Sequence, residues 1–574
     1  MKINVQDLED IAGVDNVSID DETINLYSRD ISSLPPLAYQ IIKRNFDVIV
    51  QPESVKSLIE IVRFLKTNEV SIVPRGNGTS GWGGILPSKG GVSICMTQMS
   101  EMIHIDEYQT RITVESGITW RELLMFIERL GLTLPVYPSS AAAATVGGFI
   151  ASGGLGIGSA MHGNVMTQVL GIEVVLANGL LIRIGDLVLG PKDDLQEEAR
   201  LGNDWMKTQL DELRNNGVTN PLDIFLGTYG AFGIITRVTL KAIPKLMMHS
   251  FACSFDNISD LIHAANALLE EATPYHLRYQ TDSYTSKLTS LTGLVNEEGK
   301  HILSGAFMGT VYQIEDNVER FNKILELHLG TKLSDIRAKF HWAERMFPLR
   351  IKRLGPSLVP AELMVPISKL PALFEETRSK LKNSKYAIEG TFGSDGESSF
   401  LVWILDDERK TLSYTFGWHR SFDISSMAKK FDGKPYAIGL WNVSSANEFY
   451  GKKHYRFLRK FKKRVDPQNI LNPLKVFGGR VEAAKESLAF GFFGGLIAAL
   501  TLGLIVPNIL NLHWLNEILW SQSVPIPLGL IVGLTGGIIG LLFIKSLSIQ
   551  KALRFGVPLL RLLAKVFVRK QTEA

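Results

Sequence analysis

The sequence predicts an α+β protein in two parts: a globular portion of about 475 residues, then a C-terminal two-helix transmembrane hairpin with an amphipathic tail. Three observations carry this. Short β-rich runs end repeatedly in glycine-rich turns, helical periodicity separates several of them, and two long uncharged runs follow Arg480.

Bulk properties narrow the function classes. At 574 residues the chain exceeds one hydrophobic core, and roughly 100–200 residues per domain implies three or more units. A formal net charge of +3 gives no electrostatic case for nucleic acid. Cys95 and Cys253 are far apart and in no CxxC spacing. That excludes an iron–sulfur cluster, which needs about four ligands, and a disulfide scaffold. The first residues, MKINVQDLEDIAGVDN, carry several acids and no apolar core, so no signal peptide is expected there.

Residues 1–40 form an N-terminal segment in this reading. The stretch DVIVQP reads as a short strand, and Leu58, Ile61, Val62 and Leu65 give the following segment, Glu53 to Lys66, a helical period. A second strand, VSIVP, runs into Arg75-Gly-Asn-Gly-Thr-Ser-Gly-Trp-Gly-Gly84. Glycines there allow positive φ and remove Cβ atoms, so successive N–H groups can point at one anion. Thr79 and Ser80 add hydroxyl donors.

Two further segments repeat this chemistry. Pro138-Ser-Ser-Ala-Ala-Ala-Ala-Thr-Val-Gly-Gly148 leads to Ile150-Ala-Ser-Gly-Gly154 and His162-Gly163. The run GIEVVLANGLLIRIG reads as a hairpin turning at Asn178-Gly179. Thr228-Tyr-Gly-Ala-Phe-Gly233 then precedes another strand, GIITRVTL.

After Arg480 the character changes. Ser487 to Asn516 and Ile518 to Ile544 contain no charged residue, each long enough for the ~20 residues of a spanning helix. Lys and Arg flank both runs on their outer sides, at Lys475, Arg480 and Lys485 and from Lys545 to Lys570, while the connector has neither. A hairpin at 487–545 in a cell membrane, with the globular portion and the basic tail 546–574 both cytoplasmic, is the expected topology. The tail alternates apolar residues with Lys and Arg at near-helical spacing, as an interfacial helix does.

With these motifs in order, the chain resembles the FAD-linked oxidases that share the p-cresol methylhydroxylase/vanillyl-alcohol oxidase fold, and within them the glycolate and D-lactate dehydrogenases. PRGNGTSGWGG, PSSAAAATVGGFIASGGLG, GIEVVLANG, GTYGAFGIITRVTL and the late VDPQNILNPLK at 465–475 carry the likeness over about 430 residues. The resemblance implies a two-subdomain FAD-binding domain at 41–244, an α+β substrate cap at 245–465 and a C-terminal FAD-contacting segment at 466–480. It assigns the pyrophosphate to Arg75, Gly76, Asn77, Gly78, Thr79, Ser80 and Gly81. The flavin path falls to Pro138, Ser139, Thr145, Gly148, Ser152, Gly153 and His162, with Ile235 nearby and Asn472 closing the site. Relatives that tether FAD use a His in the first glycine loop; here Asn77 and Trp82 stand there, so non-covalent FAD is expected.

The cap region offers Arg345 and Arg350 in RMFPLR as substrate-binding arginines, a guanidinium being suited to gripping a carboxylate. Relatives carry histidines in a GDGN-type segment and a Glu-His-Gly segment. Glu389-Gly-Thr-Phe-Gly-Ser-Asp-Gly-Glu397 and Tyr436-Ala-Ile-Gly-Leu-Trp441-Asn442 hold none, so no metal is expected. His419 and Tyr436 are the candidate bases; the structural alternative for His419 is an ordinary strand residue.

The leading expectation is a membrane-anchored dehydrogenase of a hydroxylated substrate, including 2-hydroxyacids, that reduces FAD and passes electrons to a membrane quinone or a partner electron carrier. Two rivals stand beside it: a flavoenzyme acting on a lipid or isoprenoid precursor, and a non-catalytic flavin-containing subunit of a respiratory assembly.

Overall fold

The computed structural model describes residues 3–31, 43–106, 108, 110–189, 193–293, 300–347 and 349–477. The expected hairpin at 487–545 and the basic tail lie outside the described residues. Among those described, no helix is long and apolar enough to cross a membrane.

The first sheet holds β1 (Val17–Ser18), β2 (Val48–Val50), β3 (Ile72–Arg75) and β4 (Val92–Cys95) in the order β1-β2-β4-β3, with β4 parallel to both neighbours. Helix Val55–Thr67 crosses over from β2 to β3. Ser54 caps it by accepting from the Ser57 amide, and Leu58, Ile61, Val62 and Leu65 point into the core beneath the sheet.

Next come β5 (Met102–Asp106), β6 (Arg111–Glu115), the short β7 (Leu132–Thr133), β8 (Val169–Leu176), β9 (Leu181–Gly185), β10 (Gly233–Lys241) and the short β11 (Ile243–Pro244). β7 and β11 pair with each other; the rest form a five-stranded antiparallel sheet, β5-β6-β10-β8-β9. The expected hairpin is β8–β9, turning where Gly179 adopts φ 75°.

A larger antiparallel sheet follows, made of β12 (Met247–Phe255), β13 (His276–Gln280), β14 (His301–Gly309), β15 (Thr331–Lys332), β16 (Ser357–Pro366), β17 (Lys385–Thr391), β18 (Glu397–Asp406) and β19 (Lys434–Pro435). Its order is β15-β12-β14-β13-β17-β18-β16-β19. The helices Ile258–Glu271, Val311–Leu327, Leu370–Leu381 and Thr411–Ser425 accompany it. All five residues of β13 are buried, polar ones included.

The chain then returns to the first sheet. Helix Lys452–Val465 ends at Lys462 and Asp466, both buried. The Lys462 ammonium donates to the carbonyls of Ala231 (2.6 Å) and Leu471 (2.7 Å) and to the Asp466 carboxylate (2.6 Å). Asp466 in turn accepts from the amides of Ile470 and Leu471. Leu471 bridges to Ile72 at β3, so this knot seats the C-terminal segment beside the first glycine loop. Lys462→Met strands the Asp466 carboxylate in a buried site, at a cost of about 3–5 kcal/mol. A melting temperature lowered by several degrees is the expected outcome by differential scanning fluorimetry; an unchanged one contradicts this role.

Candidate active site

The three glycine-rich segments meet. Gly76 to Trp82, then Pro138 to Ser140, then Thr145, Gly148, Ser152 and Gly153 line one long cavity, and Tyr229 from the third segment closes a side of it. A narrower cavity continues past Arg75, Ser116, Gly147, Gly230, Gly233 and Ile235, sharing Gly76, Thr145, Gly148 and Tyr229 with the first. The other end opens into a polar chamber. Ser139, Leu155, Glu362, Leu401 and Tyr436 belong to both walls, and His276, Arg278, Arg345 and Glu389 complete the chamber.

Close approach explains why the walls need glycine. A Cβ on Gly76 would stand 2.2 Å from Thr145 Oγ1, and Gly78 sits at φ 68° with the Arg75 guanidinium against it. Ser116 Oγ is buried on this wall with no hydrogen-bond partner. Ser80 Oγ and the Tyr229 hydroxyl face one another with no other partner. Free hydroxyls along a glycine-walled trench fit a long polar ligand with an anionic bridge, as FAD is.

The expected site residues separate into lining and support. Gly76, Asn77, Gly78, Thr79, Ser80, Gly81, Pro138, Ser139, Thr145, Gly148, Ser152 and Gly153 all line the long cavity, and Ile235 the narrow one. Arg75 reaches the narrow cavity, yet its Nη1 donates to the carbonyls of Tyr27 and Arg29, which fixes the N-terminal segment to the loop. Asn472, at φ 41°, donates through Nδ2 to the carbonyls of Gly84 and Tyr229, tying two glycine segments together from behind. His162 lines none of these cavities; it packs edge-on to Tyr275, 5.9 Å between ring centres.

The candidate catalytic residues separate in the same way. Arg345 lines the chamber, its guanidinium 3.6 Å above the Trp342 ring and its Nε buried without a hydrogen-bond partner. Arg350 lies outside the chamber, pairing with Glu344 at 2.9 Å. His419 also lies outside. It belongs to helix Thr411–Ser425 rather than a strand, because the buried Tyr414, Trp418 and Phe422 recur every four residues. Its Nε2 stands 3.4 Å from Asp423. Tyr436 lines the chamber, but its hydroxyl accepts from the Leu155 amide (3.0 Å) and donates to the Leu155 carbonyl (3.1 Å). Burial raises its pKa far above the phenol range, so it holds the loop rather than a mobile proton.

Sequence reasoning missed three groups. His276 and Arg278 alternate along β13 and Glu362 stands on β16; Glu389, the first residue of the segment Glu389–Glu397, stands beside them on β17. Arg278 pairs with Glu389 at 2.9 Å, and Trp403 Nε1 donates to the same carboxylate. The signal was present: a strand with His, Arg and Gln at alternate positions must bury a polar face.

Burial, with Glu389 adding to it, holds the Glu362 carboxyl well above the ordinary carboxylate range. Folding therefore favours its uncharged form, whereas in the unfolded chain it ionises freely above about pH 4.3. Its share of the stability is therefore complete below that pH and is lost as pH rises toward its folded pKa. Glu362→Gln, neutral throughout, is expected to raise the melting temperature by an amount that grows from about pH 5 to about pH 8. A difference independent of pH contradicts a raised Glu362 pKa.

Two family models match the chain: an FAD binding domain over residues 46–185 and the C-terminal domain of FAD linked oxidases over residues 247–476. A probable mitochondrial D-lactate dehydrogenase of Danio rerio is 25% identical, over 82% of this chain and 91% of its own. The glycolate oxidase subunit GlcD of Bacillus subtilis is 24% identical, over 75% and 89%. Among solved structures, p-cresol methylhydroxylase superposes with a TM-score of 0.68 at 18% identity, covering 82% of this chain and 96% of its own, a likeness of fold. With its glycine-walled trench and both domain models in sequence, the chain belongs to the FAD-linked oxidases and is an FAD-dependent oxidoreductase.

Proposed function

We propose that the chain is a dehydrogenase of a small hydroxy acid, of the class of D-lactate or glycolate, held on a membrane by residues 487–545 and delivering electrons to a quinone. One observation carries the substrate reading: Arg345, stacked on Trp342 with a free buried Nε, stands in a chamber that opens from the trench. A guanidinium edge of this kind suits a carboxylate. The relatives named for D-lactate and glycolate point to the same class of substrate.

In this reading the amides and hydroxyls from Gly76 to Gly81 hold the pyrophosphate, and Pro138, Ser139, Thr145, Gly148, Ser152 and Gly153 line the flavin. Bound FAD supplies a two-electron hydride acceptor. Arg75 and Asn472 act at one remove, by holding the loops to one another. Attachment is non-covalent, since no histidine lies in the first loop and His162 packs on Tyr275. The uncharged runs and basic flanks support the anchor, and a chain with two buried, unpaired cysteines needs an outside acceptor such as a quinone.

Gly76→Val drives a branched side chain into Thr145 and is expected to give protein that elutes colourless from gel filtration, where wild type elutes yellow and releases its colour in acid. Retained flavin in this variant contradicts the placement of the cradle. Anaerobic addition of D-lactate or glycolate is expected to bleach the wild-type flavin band. A chain ending at Arg480 is expected to bleach equally but to lose reduction of a vesicle-borne quinone. Loss of bleaching on truncation contradicts a catalytic portion that works without the residues after Arg480.

A further inference from the structure

The chamber contains a proton acceptor that sequence motifs did not reveal. His276 is 3% exposed on β13, lines the chamber, and leaves its Nδ1 buried without a hydrogen-bond partner. Trp342 packs against its ring, centres 6.0 Å apart. The other titratable groups lining the chamber are Arg278, Arg345, Glu362, Glu389 and Tyr436. The other four groups besides Arg345 are less suited to take a proton: Tyr436 is held on both sides by Leu155, Glu389 is engaged by Arg278 and Trp403, Arg278 is a cation, and burial beside Glu389 favours the uncharged form of Glu362.

We propose that His276 accepts the hydroxyl proton of the substrate, and that it does so only while the substrate carboxylate occupies the neighbouring arginine. This rests on the hydroxy-acid reading above. Burial first, then the charges of Arg278 and Arg345, hold the imidazole neutral and weakly basic; the backbone of Gly156 is the opposing influence. A carboxylate seated at Arg345 cancels part of that positive field, so the base gains proton affinity in the complex. The bookkeeping of atoms is complete: the carbinol C–H pair departs as hydride to the flavin, the O–H proton passes to His276, and a C=O bond forms. Carbon is oxidised and flavin is reduced. The substrate thereby supplies the charge that makes its own base effective.

The test compares wild-type holoenzyme with His276→Asn and His276→Gln, each checked for an unaltered flavin spectrum. Flavin reduction by D-lactate or glycolate is expected to slow ~10²–10⁴-fold in both variants, with loss of the acid limb of the pH–rate profile. Methyl D-lactate, which lacks the carboxylate charge, is expected to lower the maximal rate in wild type and not merely weaken binding. Oxalate is the probe independent of turnover. Its binding, followed by calorimetry in buffers of differing ionisation enthalpy, is expected to take up about one proton in wild type and none in His276→Asn. Variants that bleach at the wild-type rate, or oxalate binding with equal proton uptake in both proteins, overturn the assignment. Wild-type flavin that neither substrate bleaches refutes the hydroxy-acid reading itself, a separate outcome.

Discussion

A single buried ammonium holds together the segments that shape this site. Lys462 reaches a carbonyl of the third glycine segment, a carbonyl of the C-terminal segment and the carboxylate of its own helix end. Those segments are more than 200 residues apart in the chain, and ordering them costs conformational entropy that local turns cannot repay alone. Once Leu471 is fixed against Ile72, Asn472 can join Gly84 to Tyr229, and the trench acquires a back wall. A buried ion pair is weak evidence for stability by itself. Here its worth lies in geometry, because its two carbonyl partners, Ala231 and Leu471, fix the third glycine segment and the C-terminal segment to one helix end.

The glycine trench was legible because backbone chemistry repeats in sequence. Three glycine or small-residue segments after strands announced their purpose, and the structure brings them together around one trench. Supporting roles were harder to read. Arg75 and Asn472 look like ligand-binding residues in a motif, yet their hydrogen bonds within the fold run to main-chain carbonyls. Their value depends on which loops lie alongside, which spacing cannot convey.

The chamber was mostly illegible, for a different reason. Its polar groups come from β13, β16 and β17 and from the turn after helix Asp335–Glu344, elements brought together by the register of an eight-stranded sheet. No local motif encodes that register. His419 misled because a histidine between a tryptophan and an arginine looks chemically purposeful, whereas the apolar period of Tyr414, Trp418 and Phe422 decides where the helix faces. His276 was overlooked although alternation of His, Arg and Gln along a buried strand already requires a polar interior.

Electrostatics then gives the chamber its character. Arg278 is matched by Glu389 and burial favours the uncharged form of Glu362, leaving the charge of Arg345 without an ion pair among the described residues. One unmatched cation in a low-dielectric pocket calls for one anionic group on the incoming molecule. A crystal structure of the FAD-loaded protein with oxalate tests this most directly. The account predicts flavin in the glycine trench and a carboxylate of oxalate on Arg345, within reach of His276. Oxalate bound elsewhere, or a flavin ring filling the chamber itself, would contradict it.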